Sequence, residues 1–147
     1  MWTADKVRVT GNVMRTAAAV FLALLCAGCA HAFSGRVDFA APKGWVHSDD
    51  PTAGETWIKP GGSNQSIMAQ TTKAPLPPRQ PDWKDIKICG NHPAILMTQP
   101  NNPDQIWEGV STSWNSLRYM AVYVRPVSAS PDPEAEKAIR SICLKRN

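Results

Sequence analysis

The sequence predicts an α+β fold: a twisted antiparallel sheet of about six to eight short strands with a C-terminal amphipathic helix packed on one face. Three observations predict it. Short apolar runs alternate at period two between Val37 and Arg125, the signature of half-buried strands. Proline and glycine punctuate those runs, and all 13 prolines lie beyond residue 32. From Asp132 onward the apolar spacing changes to that of a helix.

Taken in order, Phe33 to Ala41 is a strand with Val37 and Phe39 on one face and Arg36 and Asp38 on the other. Ala41-Pro42-Lys43-Gly44 reads as a type I turn. Trp45-Val46-His47 restarts a strand, which Asp49-Asp50-Pro51 breaks, and Glu55 to Lys59 is the next. Pro60 to Asn64 is a turn, and Gln65 to Thr72 is a strand through Ile67 and Met68. Residues 74–82 hold four prolines and read as an extended surface connector, with Trp83-Lys84-Asp85 as a single helical turn. Ile86–Cys89 and Ala94–Thr98 are strands joined through Gly90-Asn91-His92-Pro93. Gln105–Trp114 and Leu117–Arg125 form a hairpin closed by Asn115-Ser116. The second of these is apolar on both faces and therefore central. The closing helix has Asp132 as N-cap, Pro133 at its first position, and acidic residues early with basic residues late. Ala135, Ala138, Ile139 and Ile142 make its apolar stripe, and Cys143 adjoins that stripe.

Ahead of the domain lies an export signal. Residues 14–32 place Arg15 before a twelve-residue apolar run, Ala17 to Gly28, and end in small residues. The run is shorter than the roughly 20 residues a membrane span needs. Met14 is the better start, and residues 1–13 read as an over-extended start or a long n-region. Leu24-Leu25-Cys26-Ala27-Gly28-Cys29 resembles the bacterial lipobox, departing from it in Cys26 where a leucine is usual, and the resemblance implies lipidation of Cys29 and attachment to a membrane. Ala30-His31-Ala32 offers the competing cut, which releases a free chain beginning at Phe33.

Residues 33–147 remain as one small domain with 13 Lys and Arg against 11 Asp and Glu. The chain's overall basic character thus belongs partly to the leader, and no basic stripe argues for a nucleic-acid partner. Once Cys26 and Cys29 are accounted for, Cys89 and Cys143 are left as a pair. In an oxidising compartment they are expected to form a disulfide, closing a loop of roughly 55 residues.

Several local features resemble the PsbP-like and DcrB-like group of small exported domains. They are Phe39-Ala40-Ala41-Pro42-Lys43-Gly44-Trp45, Ser66-Ile67-Met68, Gly90-Asn91-His92-Pro93-Ala94, and the strand Tyr119 to Arg125 leading to Ala138-Ile139-Arg140-Ser141-Ile142. The resemblance implies a twisted antiparallel sheet flanked by helices and an accessory, assembly or binding role at a membrane. It implies no catalytic residue and no cofactor. Residues 73–85 depart from it, being short and proline-rich where that group has a longer helix.

Candidate chemistry is sparse. Cys89, His92 and His47 supply too few soft ligands at recognisable spacing for zinc. Glu55 and Glu108 are conceivable paired carboxylates, but nothing in the sequence singles them out. There is no Gly-x-Ser-x-Gly elbow, and Gly61-Gly62 lacks the lysine and helix of a phosphate loop. Tryptophan is the anomaly. Trp107 is the leading binding candidate, because Gly109, Ser111 and Ser113 on its own face leave room for an aromatic-walled groove. Trp45 and Trp83, beside turns, are the secondary candidates. The expectation is a non-enzymatic binding or accessory domain of the cell envelope, with a membrane and an envelope protein as partners. A small secreted hydrolase or metal-dependent enzyme, and a purely structural lipoprotein, are the alternatives.

Overall fold

A computed structural model describes residues 37–50 and 54–145. Residues 1–36, which include the expected export signal and Cys29, lie outside the described residues. The described chain runs β1 (Val37–Asp38), β2 (Val46–Asp50), β3 (Gly54–Ile58), β4 (Ser66–Thr72), β5 (Lys84–Ile88), β6 (His92–Asn102), β7 (Gln105–Trp114), β8 (Leu117–Pro126), α1 (Pro133–Ile139) and β9 (Cys143–Leu144). Seven strands form one antiparallel sheet in the order β2-β3-β4-β8-β7-β6-β5, and β1 pairs with β9 in a separate two-stranded ribbon. Two meanders, β2–β4 and β5–β8, therefore meet where β4 pairs with β8.

Local chemistry sets the turns. Asn115 and Ser116 take φ of 51° and 64°, the left-handed pair of a type I′ turn that matches strand twist. The first turn falls one residue later than the sequence places it. Trp45 N–H donates to the Pro42 carbonyl at 3.3 Å, and Gly44, at φ 82°, occupies the position that demands a left-handed residue.

The inner face of the sheet carries the main core. Ile67, Val110, Ala121 and Tyr123 pack there against Ala135, Ala138, Ile139 and Ile142. At its edge Trp114 Nε1 donates to His92 Nδ1 at 3.0 Å, while His92 Nε2 bonds the Ser113 carbonyl at 3.1 Å. An indole can only donate, so Nδ1 accepts and the ring proton sits on Nε2.

Two corrections concern the C-terminal end and the connector. The fold is mostly antiparallel sheet, and among the described residues the only helix is the seven-residue α1, not a long amphipathic helix running to the end of the chain. The stripe residues do face the core, but Ile142 reaches it after the helix has ended. Ser141 stops the helix: its N–H and its Oγ both bond the Ala138 carbonyl, at 3.0 and 2.7 Å, and its Oγ also accepts from Ala40 N–H at 2.8 Å. Cys143 and Leu144 then pair with Asp38 and Val37, and Cys143 is bridged to Cys89 with Cα atoms 5.0 Å apart. Long-range pairing and the covalent bridge thus override the helical periodicity of residues 140–144. In the connector, Lys84 and Asp85 open β5 instead of a helical turn, because edge pairing with Leu96 and Ile95 satisfies their backbone.

Candidate functional site

The outer face of the sheet carries a second, smaller core: Trp83, Met97, Trp107, Met120, Val122 and Val124. One half of this face is roofed. The connector from β4 to β5 must cross four inter-strand steps, about 19 Å at the usual strand spacing. Pro75, Pro77 and Pro78 hold the residues before them extended, and about six such residues at 3.1 Å rise span that distance. The proline-rich strap is pinned at both ends. Ala74 N–H donates to Thr72 Oγ1 at 3.0 Å. Arg79 makes two bonds of 3.0 Å to the Asp85 carboxylate and one of 3.3 Å to the Trp83 carbonyl. The arginine holds the Asp85 carboxyl below its usual range, through the hydrogen bond first and charge second.

The middle of the outer face is sealed by Trp107. Its indole lies over Gly109, two residues along the same strand, so that a Cβ at Gly109 would stand 3.1 Å from Cη2. The small residue does leave space for an aromatic ring, and Trp107 itself fills that space with 4% of its surface exposed. Trp83, at 6% exposure, is the buried anchor of the strap. Trp45 is half-buried on the inner side, edge-on to Tyr123 with centroids 6.3 Å apart. The structure thus places all three tryptophans against core clusters: Trp83 and Trp107 share the outer one, and Trp45 lies apart on the inner side.

The other end of the outer face is open. Val46 and Ile58 pair across β2 and β3 and are 57% and 47% exposed. Beside them lies a hollow of about 410 Å³. Ile58, Ser66 and Pro126 floor it, the Asn64–Gln65 corner forms one rim and Asp104–Gln105 the other. The rims are held from behind. Gln65 Oε1 accepts from Tyr123 OH at 2.6 Å, and the same hydroxyl accepts from Asp132 N–H at 3.2 Å. Asp132 caps α1 and receives Lys59 Nζ at 2.6 Å. On the opposite rim Asn102 Oδ1 accepts from Asp104 N–H at 2.8 Å, and the Asp104 carbonyl accepts from Val127 N–H at 2.9 Å. The Asp104 carboxylate has no ion pair among the described residues. Ile58 and Pro126 thus give the hollow a partly apolar floor, set between amide-bearing rims and beside one carboxylate without an ion pair among the described residues.

The chemistry weighed in the sequence does not assemble. Cys89 is bridged, His92 is held by Trp114 and Ser113, and His47, on β2 at the far edge of the sheet from β5 and β6, lies tilted against Trp57 of β3. Among the described residues no group of three His, Cys, Asp or Glu side chains is placed to hold a metal. Glu55 and Glu108 share the inner face but stand three strands apart, roughly 14 Å, beyond the spacing of a paired-carboxylate site. Glu108 instead approaches α1. Burial first, and the charge of Glu136 second, push its carboxyl above the usual range, against Arg140 and Arg125.

Val46, Ile58 and Asp104 were not singled out in the sequence. The Pro60–Asn64 turn was legible, whereas residues 99–102, which read as a loop between two strands, continue β6 and leave only Pro103 and Asp104 to turn into β7. The convergence of the two turns depends on the order β3-β4-β8-β7-β6, which local patterning does not encode. No protein-family model matches the chain, and no curated protein matches it.

Proposed function

We propose that this chain is exported, anchored to a membrane through lipidated Cys29, and works in the cell envelope as a non-enzymatic domain that binds another protein through the open end of its outer sheet face. The observation that carries the binding reading is the Val46–Ile58 patch beside the 410 Å³ hollow, on an outer face whose middle and strap side are sealed. Adjacent exposed apolar side chains rimmed by polar groups mark interaction sites. The Cys89–Cys143 bridge is consistent with an oxidising compartment, and among the described residues no helix is long and apolar enough to cross a membrane. The local resemblance to PsbP-like and DcrB-like accessory domains points the same way.

Two measurements test this reading. Labelled palmitate is expected to enter the chain and to be lost in Cys29→Ala; labelling that survives the substitution refutes the anchor. A photo-crosslinking residue at position 58 is expected to trap an envelope protein that the same residue at position 87, on the opposite edge, does not. Equal trapping from both positions refutes the surface.

A further inference from the structure

The strap between β4 and β5 is itself a displayed surface. Residues 74–82 belong to no helix or strand, and all but the half-buried Ala74 are exposed. Their backbone is nonetheless restricted. Pro75, Pro77, Pro78 and Pro81 fix their own φ, and Ala74, Leu76, Pro77 and Gln80, each standing before a proline, are kept out of the helical region. Residues 74–78 are thereby confined to extended, polyproline-type geometry, which winds with about three residues per turn. Both ends are tied down. Ala74 N–H bonds Thr72 Oγ1, Arg79 bonds the Asp85 carboxylate and the Trp83 carbonyl, and Trp83 N–H closes a turn on the Gln80 carbonyl at 3.2 Å. The repeat of three sorts the strap into edges: Ala74 with Pro77, Pro75 with Pro78, and Leu76 with Arg79. Arg79 is drawn onto Asp85 and Trp83, so its edge is the one turned toward the sheet. The other two edges carry the pairs Ala74-Pro75 and Pro77-Pro78, and they turn away from it.

We infer that this strap is a recognition segment, docked by a groove of aromatic side chains on another protein. Such grooves read two proline-ended pairs separated by one residue, which is the arrangement Ala74-Pro75, Leu76, Pro77-Pro78. Aromatic rings pack on the exposed pyrrolidines. A polyproline backbone makes no internal hydrogen bonds, so its carbonyls are open to tyrosine hydroxyl and tryptophan indole donors. The absent N–H groups of Pro75, Pro77 and Pro78 keep the strap from being read as a strand. The tied ends favour this role over that of a plain connector, because the fold has already ordered the segment before any partner arrives. The strap is a surface separate from the Val46–Ile58 patch, and the inference goes beyond the binding reading above without depending on it.

The probe is an isolated, isotope-labelled Src-homology domain of the proline-binding class, titrated with the purified, disulfide-bridged protein and followed through its amide resonances. Saturable shifts at the aromatic residues of its groove are expected. Pro75→Ala and Pro78→Ala are each expected to weaken binding about ten-fold, and Leu76→Ala, on the edge turned toward the sheet, by less than about two-fold. A linear peptide of residues 73–82 is expected to bind about ten-fold more weakly than the protein, and Arg79→Ala to move the protein toward the peptide's affinity. Lys87→Ala, on neighbouring β5, is expected to leave binding as it is. Unfolding curves of each variant confirm that it is folded. The absence of saturable shifts overturns the proposal. So does binding that Leu76→Ala weakens as much as Pro78→Ala, or a peptide that binds as tightly as the protein. Cross-linking from position 58 reads the other surface, so its failure leaves the strap standing, and a failed titration leaves the Val46–Ile58 patch standing.

Discussion

Trp107 offers the sharpest separation between a residue that builds the fold and one that meets a ligand. It is 4% exposed, and an aromatic side chain of this size buries about 200 Å², so Trp107→Ala is expected to cost about 3–5 kcal/mol. An exposed indole waiting for a ligand would cost within about 0.5 kcal/mol. Gly109 sharpens the case. A Cβ there meets Cη2 of Trp107 at 3.1 Å and both Cζ2 and the Ala121 carbonyl at 3.4 Å. The ring is rigid and buried, so overpacking costs about 1–3 kcal/mol. Against this stands the gain of about 0.5–1 kcal/mol for replacing glycine in a strand. Gly109→Ala should therefore destabilise the native domain by about 1–2 kcal/mol and stabilise the Trp107→Ala background by about 0.5–1 kcal/mol. The double-mutant cycle is read from urea unfolding by far-ultraviolet circular dichroism with the disulfide intact. A Gly109→Ala effect of the same sign and size in both backgrounds would refute the packing of the indole on that glycine. A cost below about 1 kcal/mol for Trp107→Ala would return Trp107 to the surface.

Other predictions concern the ties between elements. Cys143→Ser removes a bridge spanning 54 positions and should cost about 4 kcal/mol in urea unfolding, with early loss of exchange protection in β9 and β1. Asp132→Ala removes an N-cap and the partner of Lys59 and should cost about 1–2 kcal/mol. The Lys59 hydrogen bond chiefly, with the N–H groups of Glu134 and Ala135, holds the Asp132 carboxyl low against the effect of burial. Its folded value thus lies below the unfolded one, and its contribution is present above the unfolded value and lost as pH falls through the folded one. Asp132→Asn keeps the cap and should flatten that acid loss in a pH series of unfolding curves. Glu108 has the opposite sign. Its carboxyl is raised, so stability declines as pH rises from the ordinary carboxyl value through the folded one, and Glu108→Gln should be the more stable above that window. Ser116→Gly relieves a left-handed residue at φ 64° and should raise the thermal midpoint, by about 1 kcal/mol in free energy.

What the sequence made legible was local. The β7–β8 hairpin could be read because Asn115-Ser116 separates two alternating runs, and its central strand because both faces of residues 119–124 are apolar. The cap at Asp132 and the stripe at Ala135, Ala138 and Ile139 were legible for the same reason. The helix length was not. Ser141 ends it by bonding a carbonyl three residues back and an amide 101 positions away, and no window of helical spacing contains that second partner. Trp107 illustrates the limit at the site. The small residues beside it correctly signalled room for an aromatic ring, but whether a ligand or the tryptophan itself fills that room is decided by the rotamer. The open hollow was invisible because its rims come from turns about 40 residues apart, joined only by strand order.

Intact-mass spectrometry of the protein taken from its own membranes tests the proposed export and membrane tether together with the Cys89–Cys143 bridge. The expected result is a lipid-bearing chain beginning at Cys29 that gains about two hydrogens on reduction, one for each sulfur of the Cys89–Cys143 bridge. A lipid-free chain beginning at Phe33 would contradict the tether. A mass unmoved by reductant would contradict the bridge.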